Sequence, residues 1–279
     1  MALAGTWVLS IASGKGGVGK TLTSINLAIS CCRMGLRTLL LDGDLGMANV
    51  DIVLGLRSRY NIHDVMEQRQ SLRSILLEGP SGLHIIPSGS GLSQLTEMNL
   101  AKRVDLLEKI DEIAVDYDVL LIDTGAGISN NVLHLNSISD ALMVVTTPEP
   151  HAMTDAYAFL KVMYERHQKK NFNIIVNQAI SEEQGLKTYQ KLADVSRRFL
   201  GIELRLGGVV PKDPLVQRSV MMQRVADEGA LHTRSGQAWN EIMRRTLDVL
   251  KASDSPDDSG RGFQDLMFPS LTQHGVDTL

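Results

Sequence analysis

Residues Ser13 to Thr21 read S-G-K-G-G-V-G-K-T, and residue types at this spacing suit one chemistry, the holding of a polyphosphate. The run fits G-x-x-x-x-G-K-[ST], with Gly14, Gly19, Lys20 and Thr21 at the fixed positions. Glycines let successive backbone N–H groups curl around phosphate oxygens, so contacts are expected along Gly14, Gly16, Gly17, Val18, Gly19, Lys20, Thr21 and Leu22. Lys20 brings charge to the β- and γ-phosphates, and the Thr21 hydroxyl suits Mg²⁺. Lys15 is a second cation, one residue into the loop, where the pattern needs none.

Two further segments offer carboxylates. Asp42 and Asp44 open D-G-D-L-G-M-A-N-V-D, directly after an apolar run. As loop acids or helix N-caps they would be ordinary; as a pair ending a strand beside the phosphate loop they suit a reacting phosphate. Leu120 to Asp123 (L-L-I-D) has the form of a Walker B strand, whose carboxylate holds Mg²⁺, usually through water. Asn177 ends N-I-I-V-N, and Pro211 and Asp213 follow the last apolar run in V-V-P-K-D. Turn chemistry alone accounts for these residue types as well. An N-K-x-D guanine signature is missing from N-Q-A-I, which favours ATP over GTP. His151 follows T-T-P-E-P and reads as loop surface, since phosphoryl transfer needs no histidine.

The elements that position these groups are short apolar strands alternating with helices. Trp7 to Ala12 opens into the glycine loop, and a helix over Thr21 to Met34 follows, stopped by Gly35. Further strands are expected at Arg37–Leu41, His84–Ile86, Val119–Ile122, Ala141–Thr146, Asn173–Val176 and Gly208–Val210. Helices are expected over Leu100–Ala114, Asp155–Glu165 and Gly185–Phe199. Continuous rather than alternating apolar strands mean an α/β fold, with a doubly wound, mostly parallel sheet and helices on both faces. Ligands of such sheets sit at the carboxyl ends of the strands, where the carboxylates above should converge. The ATPase domain is expected over 1–251, a polar Pro/Gly linker over 252–262, and a tail over 263–279 carrying Phe263, Leu266, Met267 and Phe268.

Composition narrows the classes. The 279 residues are 43% hydrophobic and 22% charged, as in a soluble globular chain. A net charge of −4 gives the whole molecule no pull toward nucleic acid. Cys31 and Cys32 are adjacent on a helix, a poor arrangement for a disulfide or a cysteine-held cluster, and a reducing cytoplasm fits. No leader pattern is readable near the start, and no run is long enough to span a bilayer.

The loop with its extra Lys15 closely resembles the deviant phosphate loop of the MinD/ParA/nitrogenase-iron-protein superfamily, and the resemblance extends from about Trp7 to Leu250. It implies a slow ATPase using ATP/ADP and Mg²⁺, monomeric until ATP closes two subunits face to face, with Lys15 reaching the partner's nucleotide. It places Asp42 near the water shell of Mg²⁺ and Asp44 near the attacking water, so Thr21, Asp42 and Asp123 form the metal group and Lys15, Lys20 and Asp44 the catalytic one. It puts Asn177, Pro211 and Asp213 around the adenine, and makes Glu149 a nucleotide or dimer-interface contact. The superfamily has D-x-P-A-G at the Walker B strand; Gly125 stands here at the proline, which loosens the loop that responds to the γ-phosphate.

Asp44–Leu56 (D-L-G-M-A-N-V-D-I-V-L-G-L) and Glu149–Lys161 (E-P-H-A-M-T-D-A-Y-A-F-L-K) are similar to the FlhG/FleN branch, which controls flagellar number and placement. The alternatives are a MinD-type division-site ATPase and a ParA-type DNA-segregation ATPase. Expected partners are a flagellar regulator or a basal-body or C-ring protein, with the GTPase FlhF in doubt because no D-Q-A-x-x-L-R motif precedes the first strand. Direct DNA binding is not expected: Arg197, Arg198, Arg218, Arg224, Arg244 and Arg245 have acids among them and read as solvated helix faces. The expected location is cytoplasmic, at the inner face of the membrane or a cell pole, with weak lipid contact from a short tail that contains Asp265 and has only Arg261 as a nearby cation.

Overall fold

Along the first strand the side chains alternate between two apolar environments. Leu9 and Ile11 enter one hydrophobic cluster, while Val8 and Ala12 enter others on the opposite side. A strand buried on both faces must lie inside a sheet covered twice, and this one does. A computed structural model describes residues 5–44, 49–88, 100–223 and 232–252.

The strands are β1 (Trp7–Ser13), β2 (Thr38–Gly43), β3 (Leu77–Glu78), β4 (His84–Ile86), β5 (Val119–Ala126), β6 (Ala141–Thr146), β7 (Phe172–Ala179) and β8 (Leu204–Pro211). They form one eight-stranded sheet in the order β3-β4-β2-β5-β1-β6-β7-β8. Every pairing is parallel except β3 with β4. The mostly parallel, doubly wound sheet read from the sequence is therefore present, with a short antiparallel strand added at one edge.

The helices are α1 (Lys20–Arg33), α2 (Val50–Val53), α3 (Ile62–Met66), α4 (Leu100–Ala114), α5 (Asn130–Ser137), α6 (Pro150–His167), α7 (Glu182–Leu200), α8 (Pro214–Met221) and α9 (Arg234–Ala252). Helices α1 and α9 cover one face: Ile25, Leu27 and Ile29 pack with Trp239, Ile242, Met243 and Leu247 against Leu9, Ile11 and Leu121. The other face is covered by α4 through Leu106, Ile110 and Ile113, and by α6 and α7 through Phe159, Leu160 and Leu192. Each such side chain, fully buried, contributes about 1.5–3 kcal/mol of transfer free energy.

Several expected boundaries were short. Strand β5 continues through Asp123 to Ala126, because it pairs with β2 as far as Gly43 opposite Thr124. Helix α6 begins at Pro150, not Asp155: proline at the first helical position has no N–H to lose, and the Glu149 carbonyl before it accepts the first helical bond, from Met153 N. Helix α7 begins at Glu182, where the Ser181 hydroxyl accepts from the Gln184 amide. The 252–262 linker except Ala252, the 263–279 tail and Arg224 lie outside the described residues. Among the described residues no helix is long and apolar enough to cross a membrane.

Candidate nucleotide site

Central strands β2, β5 and β1 all end at one edge of the sheet, and the polar residues of the sequence patterns end there with them. Asp42 and Asp123 are register partners on adjacent strands, and the phosphate loop leaves β1 beside them. Loop residue Gly19 caps α1 in the left-handed region, at φ 84° and ψ 27°. A Cβ there would fall 2.4 Å from Asn177 Nδ2, so glycine is required for conformation and for space. A Cβ on Gly14 would fall 2.1 Å from the Asp155 carbonyl oxygen, so α6 lies directly on the start of the loop. Gly16 and Gly17 are exposed, and the Gly127 amide closes the far side by donating to Ser13 O at 2.9 Å.

Lys20 is 7% exposed and its Nζ donates to Asp123 Oδ1 at 2.7 Å. The Ser24 hydroxyl, one helical turn on, donates to the same oxygen at 2.7 Å. Asp123 Oδ2 is buried with no hydrogen-bond partner. A buried carboxylate oxygen without a donor is costly, and a hard cation or its bound water would satisfy it. Thr21 is half-buried beside Lys20 at the start of α1. Mg²⁺ is an ion held by one or two carboxylates plus substrate phosphates, so the partnerless Asp123 Oδ2 and the nearby Thr21 hydroxyl suit it. The residues present therefore fit that ion.

Asp42 is 1% exposed and accepts from the amides of Asp44 at 3.3 Å, Asn49 at 3.1 Å and Val50 at 3.3 Å. Burial first, and then the Asp123 charge, push its carboxyl up to about 7, against those three amides. Asp44 lies at the same end, with its Oδ1 3.8 Å from where a Cβ on Gly125 would sit. Such a Cβ would also approach Val132 Cγ2 to 3.1 Å, so α5 packs closely on the turn that lacks proline.

Lys15 and Glu149 meet: Nζ lies 3.4 Å from Oε2 in an exposed ion pair. Glu149 is thereby brought to the loop, while His151 is exposed in the first turn of α6. Asn177 is buried, and its amide is spent on the loop: Nδ2 donates to Val18 O at 2.8 Å and Oδ1 accepts from Gln178 N at 2.9 Å. Gln178 holds a left-handed backbone, φ 57°, to make that turn. Pro211 pairs in register with Ala179, two residues beyond Asn177, so two of the three residues assigned to the base lie on adjacent strand ends. Asp213 caps α8 by accepting from Leu215 N at 2.9 Å, and the Ser235 hydroxyl donates to Pro211 O at 2.9 Å. The Leu22 side chain turns away and packs on the core.

Sequence reasoning missed Ser24, although its i+4 spacing from Lys20 puts both on one helix face. It also missed the bracing of Val18 by Asn177, a contact across 159 residues that no local pattern announces. The arginines behave as solvated faces: Arg197 pairs with Glu203 and Asp194, Arg244 with Glu241 and Asp248, and Arg245 with Glu241.

Comparison with known proteins places this arrangement. The family model described as "AAA domain" matches residues 6–176. The antiactivator FleN of Pseudomonas aeruginosa is 35% identical over 267 residues, covering 96% of this chain and 94% of that one. The flagellum site-determining protein YlxH of Helicobacter pylori is 32% identical, covering 88% and 83%. Among solved structures, the MinC:MinD cell division protein complex of Aquifex aeolicus matches with a TM-score of 0.71 at 26% identity, covering 90% of this chain and 98% of that one.

Proposed function

The chain belongs to the MinD/ParA superfamily of deviant phosphate-loop ATPases, in the branch of the antiactivator FleN, and we propose that it is an ATP-driven dimerisation switch setting flagellar number and placement. The observation that carries this reading is the division of labour between two lysines of one loop. Lys20 is buried against Asp123, a place suited to its own subunit's phosphates; Lys15 is half-buried at the rim in a weak pair with Glu149, a place suited to another's.

In the proposed cycle the loop amides and the positive end of α1 bind the triphosphate, and Lys20 moves from Asp123 to the β- and γ-phosphate oxygens. Thr21, Asp123 and Asp42 would hold the Mg²⁺ that accompanies the nucleotide, and the ion would supply charge neutralisation. Asp44 orients the water that attacks the γ-phosphorus, releasing ADP and phosphate. Alignment and charge stabilisation, not strong basicity, are what that step asks of a carboxylate. Asn177 holds the loop while Pro211 and Asp213 flank the base. Two ATP-loaded subunits close face to face with each Lys15 on the other's phosphates, and slow hydrolysis separates them.

The dimer would act in the cytoplasm on a flagellar regulator or a basal-body or C-ring protein, with FlhF a further candidate. The 263–279 tail would give weak contact with the inner face of the membrane, or a place at the cell pole. The carboxylate partners of Arg197, Arg244 and Arg245 support a switch that does not bind DNA directly.

Sedimentation of Asp44→Ala with Mg·ATP tests the cycle. The variant should bind ATP, fail to turn it over and accumulate as a dimer. If it remains monomeric at high concentration with saturating nucleotide, the face-to-face model fails.

A further inference from the structure

Strand β8 ends the sheet, and among the described residues no strand lies against its outer side. An open edge offers unpaired backbone N–H and C=O groups to any extended chain that can reach them. The Leu204 and Pro211 carbonyls at its ends already accept from the Tyr189 and Ser235 hydroxyls, so at about 3.3 Å per residue the stretch from Arg205 to Val210 presents roughly 20 Å of such edge.

This edge is recessed. Helices α7 and α9 pack on opposite faces of the sheet, through Leu192 and Ala193 on one side and Ile242 and Met243 on the other. Both border β8, and between them lies a slot of about 400 Å³ walled by Leu186, Ala238 and Ile242, with Leu206 to Val209 as its floor. The floor is bare of side chains at Gly208, where a Cβ would fall 2.5 Å from Ile242 Cγ1. Ile180, 80% exposed, extends the apolar lining at the mouth.

The charges around the slot are unequal. Glu241 on the α9 wall is already engaged by Arg244 and Arg245, at 2.9 Å and 2.6 Å. Arg234 at the mouth and Arg205 on β8 itself are exposed and have no ion pair among the described residues. Against them stands Glu182 on the α7 wall. An occupant therefore needs a free backbone edge, apolar side chains on alternate residues, and carboxylates between them.

We propose that the slot receives an extended acidic peptide segment of a protein partner, which adds to β8 as a further strand of the sheet. Main-chain hydrogen bonds supply the affinity, alternate side chains seat on the α7 side against Leu186 and Leu206, and the intervening carboxylates face Arg234 and Arg205 on the α9 side.

Three acetylated, amidated octapeptides test this, each with valine at alternate positions and glutamate, serine or lysine between. Binding to the full chain is read by calorimetry, and strand pairing by amide hydrogen exchange across Leu204–Pro211. The glutamate peptide should bind about tenfold tighter than the lysine peptide. It should slow exchange in β8, and should lose binding when its alternate amides are N-methylated. Arg234→Glu should reverse the preference while leaving nucleotide affinity unchanged; an acid in the first turn of α9 suits the helix, so this variant keeps the fold. Ala238→Phe, which fills the slot, should abolish binding of all three peptides. The proposal is overturned if the glutamate peptide does not bind, if the lysine peptide binds as tightly, or if the N-methylated peptide still binds. Protection of β8 in the free chain, by a second copy or by a segment of its own, overturns it equally.

Discussion

Replacing Asn177 by alanine separates two roles that a residue beside a nucleotide base can play. Its Nδ2 donates to Val18 O and its Oδ1 accepts from Gln178 N, and both partners lie at the turn that shapes the phosphate site. Val18 is 2% exposed, so its carbonyl would be left buried without a donor. An unsatisfied buried carbonyl costs about 1–3 kcal/mol. If the loop relieves that cost by leaving its binding conformation, phosphate affinity falls by the same amount, about 5- to 150-fold with tenfold as the low-middle value. The assay is calorimetry with Mg·ATP and with inorganic tripolyphosphate, which has the phosphates and no base. A brace acts on the loop, so Asn177→Ala should weaken both ligands by the same factor. A base contact would weaken ATP and spare tripolyphosphate, and that result would refute the bracing argument.

Burial and the Asp123 charge hold the Asp42 carboxyl at about 7 against an ordinary 3.8. A carboxyl with a raised folded pKa binds protons more readily folded than unfolded, so stability falls as pH rises from about 4 to about 7, by at most about 4 kcal/mol, and is level above. Asp42→Asn should remove that slope: after the loss of one acceptor it should melt about 3–6 °C above wild type at pH 8 without nucleotide, and no higher at pH 5. Thermal melts across that range check it, and a lower melting point at pH 8 would contradict it. Lys15→Ala should spare most ADP binding while weakening ATP-dependent dimerisation and hydrolysis, read by calorimetry and sedimentation. Its exposed pair with Glu149 is worth less than about 1 kcal/mol, so the melting point should barely move, and loss of ATP binding in a folded variant would contradict the assignment.

What the sequence made legible was whatever depends on neighbours along the chain. Gly14, Gly19, Lys20 and Thr21 announce the loop because backbone curvature and phosphate charge are local demands. Asp42 and Asp123 were legible because each ends an apolar run, and parallel strands of one sheet must end together. Strand and helix ends were less so, since pairing carried β5 past Asp123 and Pro150 started α6 early. Partners distant in sequence were not legible at all. The family resemblance implied a base contact for Asn177, and its amide is turned onto Val18. The β8 slot needs α7, α9 and the sheet edge together, and no one of the three carries its signature alone.

In the proposed cycle the two loop lysines would let one short motif both sense a ligand and count subunits. Lys20 and Asp123 are buried at 7% and 1% side-chain exposure, and stripping a buried charge of its partner costs about 3–5 kcal/mol. Lys20 can leave for a phosphate only if Asp123 gains another cation in the same event, so in the proposed cycle nucleotide and metal must arrive as one unit. Lys15 meets no such demand. Its pair with Glu149 faces water and yields at little cost, which is what a contact made only when a second subunit closes requires. In the proposed cycle burial would thus assign the roles: the enclosed lysine would discriminate what is bound, and the open one would report whether a partner is there to share it.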